Sequence, residues 1–150
     1  EKIEDLEVRD AEHGVKIAKA LFAERFADRV KAEEGIKTIK AVEEIKVVSV
    51  KGEKVSVSAK IDTGAWASSI DKEFAGELGL YRPSKILWYK KARSALGRER
   101  RPVINVTFWL AGRKVATTMT VSNRRNLTYK VSIGRTELGG FLVSAEVPKI

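Results

Sequence analysis

The stretch Ala59-Lys60-Ile61-Asp62-Thr63-Gly64-Ala65 holds the residue best placed to do chemistry in this chain, one carboxylate on a glycine turn. Asp, Thr and Gly fit a central strand poorly, so the β-branched run before them is predicted to break into a tight turn at Asp62. Two readings of the residues stay open: Asp62 caps an ordinary strand end, or the turn exists to present it. Other chemistries are poorly provided for. The chain has no cysteine, which removes thiolate nucleophiles, disulfides and Cys-based zinc sites. Its single histidine, His13, allows no HExxH pair, and no Gly-x-Ser-x-Gly elbow exists to arm a serine. Ser68 and Ser69 follow the turn without a general base beside them in sequence, so they read as loop hydrogen bonders. Carboxylate chemistry survives among the common hydrolytic schemes, with no metal ion and no cofactor expected.

The 150 residues suffice for one domain with a buried core, or one domain with an appendage. Their charge is uneven. Residues 1–45 hold 9 Lys/Arg and 12 Asp/Glu, whereas residues 46–150 hold 20 and 8, so a body of +12 follows a segment of −3. Such a body favours an acidic peptide, a nucleic acid or an anionic surface, unless the excess serves only solubility. No apolar run is long enough to span a bilayer and no signal-like segment opens the chain. With zero cysteines, a cytoplasmic location without membrane contact is the expectation.

The elements that must position Asp62 are set by periodicity. From His13 to Val30 the apolar residues Val15, Ala18, Phe22, Phe26 and Val30 recur at three- and four-residue steps. This predicts an amphipathic helix in an N-terminal extension covering residues 1–43. From residue 44 the period changes to two. Two strands are expected around a turn at Lys51-Gly52, then a short helix from Asp71 to Gly79. Further turns are read at Ala95-Leu96-Gly97, Ala111-Gly112, Asn123 to Asn126 and Leu138 to Gly140. Many short strands at such spacing predict a mainly β body over residues 44–150, a closed or sandwiched antiparallel sheet.

Two motifs pair at a distance: Asp62-Thr63-Gly64-Ala65, and the apolar run Val131-Ser132-Ile133 entering Gly134-Arg135. Together they resemble the retropepsin-like aspartic peptidases. A closer resemblance is to the prokaryotic "ATP-dependent zinc protease" family of that fold. It is carried by Ala59 to Ala65 with Ser68-Ser69; by Ser94, Gly97, Glu99, Arg101 and Val103; by Asn123-Arg124; and by Gly134-Arg135 with Leu138 and Phe141-Leu142-Val143. The resemblance spans roughly residues 44–146. Two departures stand out: Trp66 where that family often has Arg, and Asp71 where it often has His, so a zinc role tied to that His finds no support here.

The resemblance implies a retropepsin-like closed antiparallel β-barrel with a short helix, working as a twofold-symmetric homodimer. Asp62 would be catalytic, one from each copy, activating a shared water to hydrolyse a peptide bond. Thr63, Gly64 and Ala65 would support its loop, and Gly134 and Arg135 would be structural, the Arg bracing the core or the subunit interface. Residues 85–101 form the flap-like hairpin, with seven Lys/Arg against Glu99 alone. Arg93, Ser94, Gly97, Arg98, Glu99 and Arg101 are its substrate candidates, and an acidic or glutamate-rich peptide is the substrate its charge would suit. The family resemblance also implies association with an ATP-grasp ligase, and makes residues 1–43 readable as the tail of a fused upstream domain. The rival reading is an inactive module of the same fold that holds an acidic peptide. Nucleic acid is not an expected partner, because basic excess alone speaks for it and no recognised reading motif is present.

Overall fold

The structure, a computed structural model, describes residues 35–94 and 97–145. The expected helix between His13 and Val30 lies outside the described residues, as do Ala95 and Leu96. The chain divides into two units between Lys37 and Thr38, and the second holds the larger sheet.

Alternation drives its strands. In β2 (Val42–Val48), Ile45 and Val47 point inward while Glu44 and Lys46 face water. Its partner β3 (Lys54–Ile61) buries Ala59 and Ile61 on the same face. They pair antiparallel with Val47 opposite Val55 and Ile45 opposite Val57. The turn between them contains Lys51-Gly52, as expected, and Gly52 takes φ +84°. β4 (Ser69–Asp71) leads directly into α1 (Lys72–Glu77). Asp71 caps that helix and Gly79, at φ +73°, ends it. β5 (Trp88–Ser94) and β6 (Gly97–Leu110) form a long hairpin, and β6 turns at Ala111-Gly112 into β7 (Arg113–Ser122). Both turn residues have positive φ, 49° and 79°, the geometry that matches strand twist in a two-residue hairpin.

Six strands close into a barrel in the order β2-β3-β8-β4-β7-β6, where β8 is Val131–Ile133, and β2 meets β6 to complete the ring. Lys46 lies opposite Trp109 at that seam, and the Lys54 ammonium stands 4.4 Å from the Trp109 ring centroid. The closed barrel is the expected one. Two of its pairings, β3 with β8 and β4 with β7, are parallel, which strand alternation does not encode. Phe108, Ile104, Ile70, Ile45, Met119 and Val131 fill the interior, each worth about 1.5–3 kcal/mol when fully buried. β1 (Lys37–Ile39) and β9 (Phe141–Val143) make a separate two-stranded sheet, continued by the Ser144 N–H donating to the Ile39 carbonyl at 2.7 Å. β1 falls within the stretch that the sequence assigns to the extension. Among the described residues no helix is long and apolar enough to cross a membrane.

Candidate active site

Asp62 leaves β3 where β8 passes between β3 and β4. Its N–H donates to the Ile133 carbonyl at 2.8 Å, one step beyond the Ile61–Ile133 pair, so the loop starts on the floor of the barrel. The side chain then folds over its own turn: Oδ1 accepts from the Gly64 N–H at 3.0 Å, and the Ala65 N–H donates to the Asp62 carbonyl at 3.2 Å. A Cβ on Gly64 would come 3.3 Å from that Oδ1, a tight approach to the carboxylate. About a third of the Asp62 side chain remains exposed, with Lys60 Nζ 3.8 Å from Oδ2, an open ion pair of small worth. The carboxylate thus caps its own turn and remains partly exposed to solvent.

The second motif locks the first. Arg135 N–H donates to the Ala65 carbonyl at 2.9 Å and Thr136 N–H to that of Trp66 at 3.1 Å. Gly134 lies so close beneath the loop that a Cβ would stand 2.6 Å from the Ala67 carbonyl carbon and oxygen. Ser68 is fully buried; its hydroxyl accepts from the Gly134 N–H at 3.0 Å and donates to the Glu137 carboxyl. It is a loop hydrogen bonder, as expected. Arg135 needs correction in one respect. Its side chain is exposed and has no hydrogen-bond or ion-pair partner among the described residues, so it does not brace the core of this chain. The 3-10 turn Arg135–Glu137 uses the Arg135 backbone and buries Glu137 instead.

Glu137 is the residue that sequence reasoning missed. It is 1% exposed, and Oε2 has no hydrogen-bond partner among the described residues. Burial raises its carboxyl above the ordinary value, with the Ser68, Thr136 and Thr117 hydroxyls opposing the shift. Nothing in Arg-Thr-Glu-Leu signals such burial.

Asp71 and Arg124 form a second brace. Asp71, buried, accepts from the Phe74 N–H at 3.2 Å and the Arg124 N–H at 2.8 Å. The Arg124 guanidinium donates to the Ser69 hydroxyl at 3.0 Å and the Tyr129 carbonyl at 2.9 Å. Burial lowers the Arg124 guanidinium below its ordinary value; Asp71 opposes that shift, Arg101 adds to it and Asp62 opposes it. Arg124 is therefore within electrostatic reach of both Asp62 and the hairpin. Asp71 is thus a helix cap, and among the described residues no group of three His, Cys, Asp or Glu could hold a metal ion.

Of the hairpin candidates, Arg101 bonds Glu99 at 2.5 Å, Arg93 stands opposite Arg98, and Ser94 opposite Gly97. Arg101 alone among them bears on Arg124, and Arg93 and Arg98 lie on solvent-exposed strand. A cavity of about 300 Å³ opens at the root of the hairpin, lined by Lys72, Tyr81, Tyr89, Arg101 and Asn123 among others. Asp62 does not line it. Trp66, 65% exposed, stands on the Asp62 loop itself.

The barrel is of the retropepsin-like type. Among solved structures, the foamy viral protease-reverse transcriptase in complex with an RNA/DNA hybrid superposes with a TM-score of 0.51 at 16% identity, over 73% of this chain and 13% of that one. A protein of unknown function from Legionella pneumophila subsp. pneumophila gives 0.47 at 16% identity, over 72% of this chain and 92% of that one. A retropepsin-like aspartic protease from Rickettsia conorii gives 0.43 at 20% identity, over 63% and 77%. At these identities the likeness concerns the fold. No protein-family description matches the chain, and no curated protein matches its sequence.

Proposed function

We propose that this chain is an aspartic peptidase assembled as a homodimer, with residues 44–150 as the catalytic body and residues 1–43 as an extension. The observation that carries the reading is the Asp62 turn, anchored to Ile133, braced by Gly134 and Ser68, and still a third exposed at the carboxylate. One carboxylate cannot both activate water and polarise a carbonyl. A twofold axis beside Asp62 would supply the second from an identical copy. Two carboxylates that close repel each other when both are charged, so the pair would hold one proton between them. The ionised member takes a proton from a water that attacks the scissile carbonyl, while the protonated member hydrogen-bonds to that carbonyl oxygen.

The supporting residues fit these roles. The Thr63 side chain is exposed and has no hydrogen-bond partner among the described residues, which leaves it available to bond across the axis. Arg135 is likewise available to the interface. Arg101 and Glu99 would face the substrate, and the excess of cations on that hairpin suits an acidic peptide segment. The resemblance to the "ATP-dependent zinc protease" family supports the same reading without a zinc ion. The test is hydrolysis of a peptide mixture by the wild type and by Asp62→Asn. Loss of cleavage in the variant, with folding unchanged, supports the peptidase. Undiminished cleavage overturns it, and a wild type that binds peptides without cleaving them is the inactive module instead.

A further inference from the structure

The hairpin cations are divided by the pleat. Side chains alternate between faces, and directly paired residues share one. The register places Lys91 opposite Arg100 and Arg93 opposite Arg98, so these four cations lie on one face together with Tyr89. Lys90, Glu99, Arg101 and Trp88 lie on the other. Arg101, on the other face, adds to the lowering of the Arg124 guanidinium value. The single carboxylate of the hairpin, Glu99, is spent there on Arg101.

All four cations of the first face are exposed, and none pairs with a carboxylate among the described residues. Two like-charged pairs directly opposed at alternate positions of a ladder, neighbours on one face, destabilise it. The ribbon has little to compensate, since β7 pairs with β6 only from Val103 onward and leaves the tip of the hairpin to itself. Shielding of an edge from unwanted pairing would explain lysines on β5, but it does not require arginines facing them from β6. An anion lying between the members of each pair would relieve both.

We propose that this face of the hairpin, Lys91, Arg93, Arg98 and Arg100, is a binding surface for an extended acidic peptide, on the side of the ribbon opposite Glu99 and Arg101. The two cation pairs are separated by two residues, about 6.8 Å along the strand. Alternate side chains of an extended peptide have the same spacing, so carboxylates at every second position would each sit between two cations. Nucleic acid fits less well. A single strand needs aromatic platforms beside its phosphate contacts. Here Trp88 is on the opposite face, and the Tyr89 ring already has the Arg100 guanidinium 5.3 Å from its centroid. This surface supplies acidic preference to the proposed peptidase, yet its binding does not rest on catalysis.

The experiment uses the full chain with Asp62→Asn and measures fluorescence anisotropy of a labelled peptide of alternating Glu and Thr. Changing Lys91, Arg93, Arg98 and Arg100 to Gln is expected to weaken binding about tenfold or more. Changing Lys40, Lys46, Lys51 and Arg125 to Gln removes the same charge elsewhere and is expected to change it less than about twofold. Equal loss in both variants, or loss in neither, overturns the surface. So does a single-stranded oligonucleotide of equal charge that binds more tightly and displaces the peptide. A wild type that binds the peptide through this face but cleaves nothing refutes the peptidase and leaves the surface standing. Cleavage with binding indifferent to the face does the reverse.

Discussion

The Ser68 hydroxyl donates to the buried Glu137 carboxyl, 69 residues further along the chain, while accepting from the Gly134 N–H at 3.0 Å. One side chain thereby ties the Asp62 loop to the turn that crosses beneath it. Ser68→Ala leaves a buried N–H and a buried carboxyl short of a partner, and is expected to cost about 1–3 kcal/mol by urea denaturation. Gly134→Ala drives a methyl into the Ala67 carbonyl and should cost at least as much, about 1–3 kcal/mol or more.

Glu137 makes stability depend on pH in a stated direction. Burial raises its folded-state value above the usual carboxylate figure of 4.5, so the folded chain keeps this proton after the unfolded chain has released it. The group's contribution is complete below about 4.5 and is lost as pH rises through the folded-state value. Glu137→Gln keeps an acceptor for Ser68 and has no proton to lose. It is expected to melt above the wild type at neutral pH and to converge with it near pH 4, roughly where an unfolded Glu protonates.

Asp71 accepts from both Phe74 and Arg124, so one carboxylate starts α1 and fixes the segment after β7. Asp71→Ala should cost about 2 kcal/mol from the lost cap alone. Calorimetry checks it, and Asp71→Asn should recover part of the loss, because an amide oxygen still accepts.

The opposed cations of the hairpin predict a gain on charge reversal. Arg98→Glu would face Arg93 and Lys91 would remain opposite Arg100, converting one repulsive pair into an attractive one. Amide exchange along β5 is expected to slow by an amount equivalent to about 0.2–1 kcal/mol. Acidic-peptide binding should fall in the same variant.

The barrel was legible because Ile45 and Val47 in β2, and Ile104, Val106 and Phe108 in β6, recur at every second position, and the turns at Gly52, Gly79 and Ala111-Gly112 carry their own chemistry. The turn at Asp62 was legible for the same reason. Parallel pairing was not, since β8 inserts between β3 and β4 through contacts distant in sequence. β1 was missed because three residues show no period, and their pairing with β9 comes from the other end of the chain. Arg135 drew attention as the charged member of a motif, whereas the backbone of Gly134 and Arg135 does the bracing. Glu137 carries no sequence signal of burial, because its partner Ser68 lies 69 residues away in the chain. Asp71 did carry a signal, as an Asp immediately before a helical run.

The proposed catalytic pair is tested most directly by mixing subunits. Wild type and Asp62→Asn are unfolded together in equal amounts, refolded, and assayed for peptide hydrolysis at fixed total protein. If each site needs one Asp62 from each of two copies, mixed dimers are silent and activity falls to about a quarter of the wild type's. If a single chain carries a complete site, activity falls only to about half, and the shared-proton pair is contradicted.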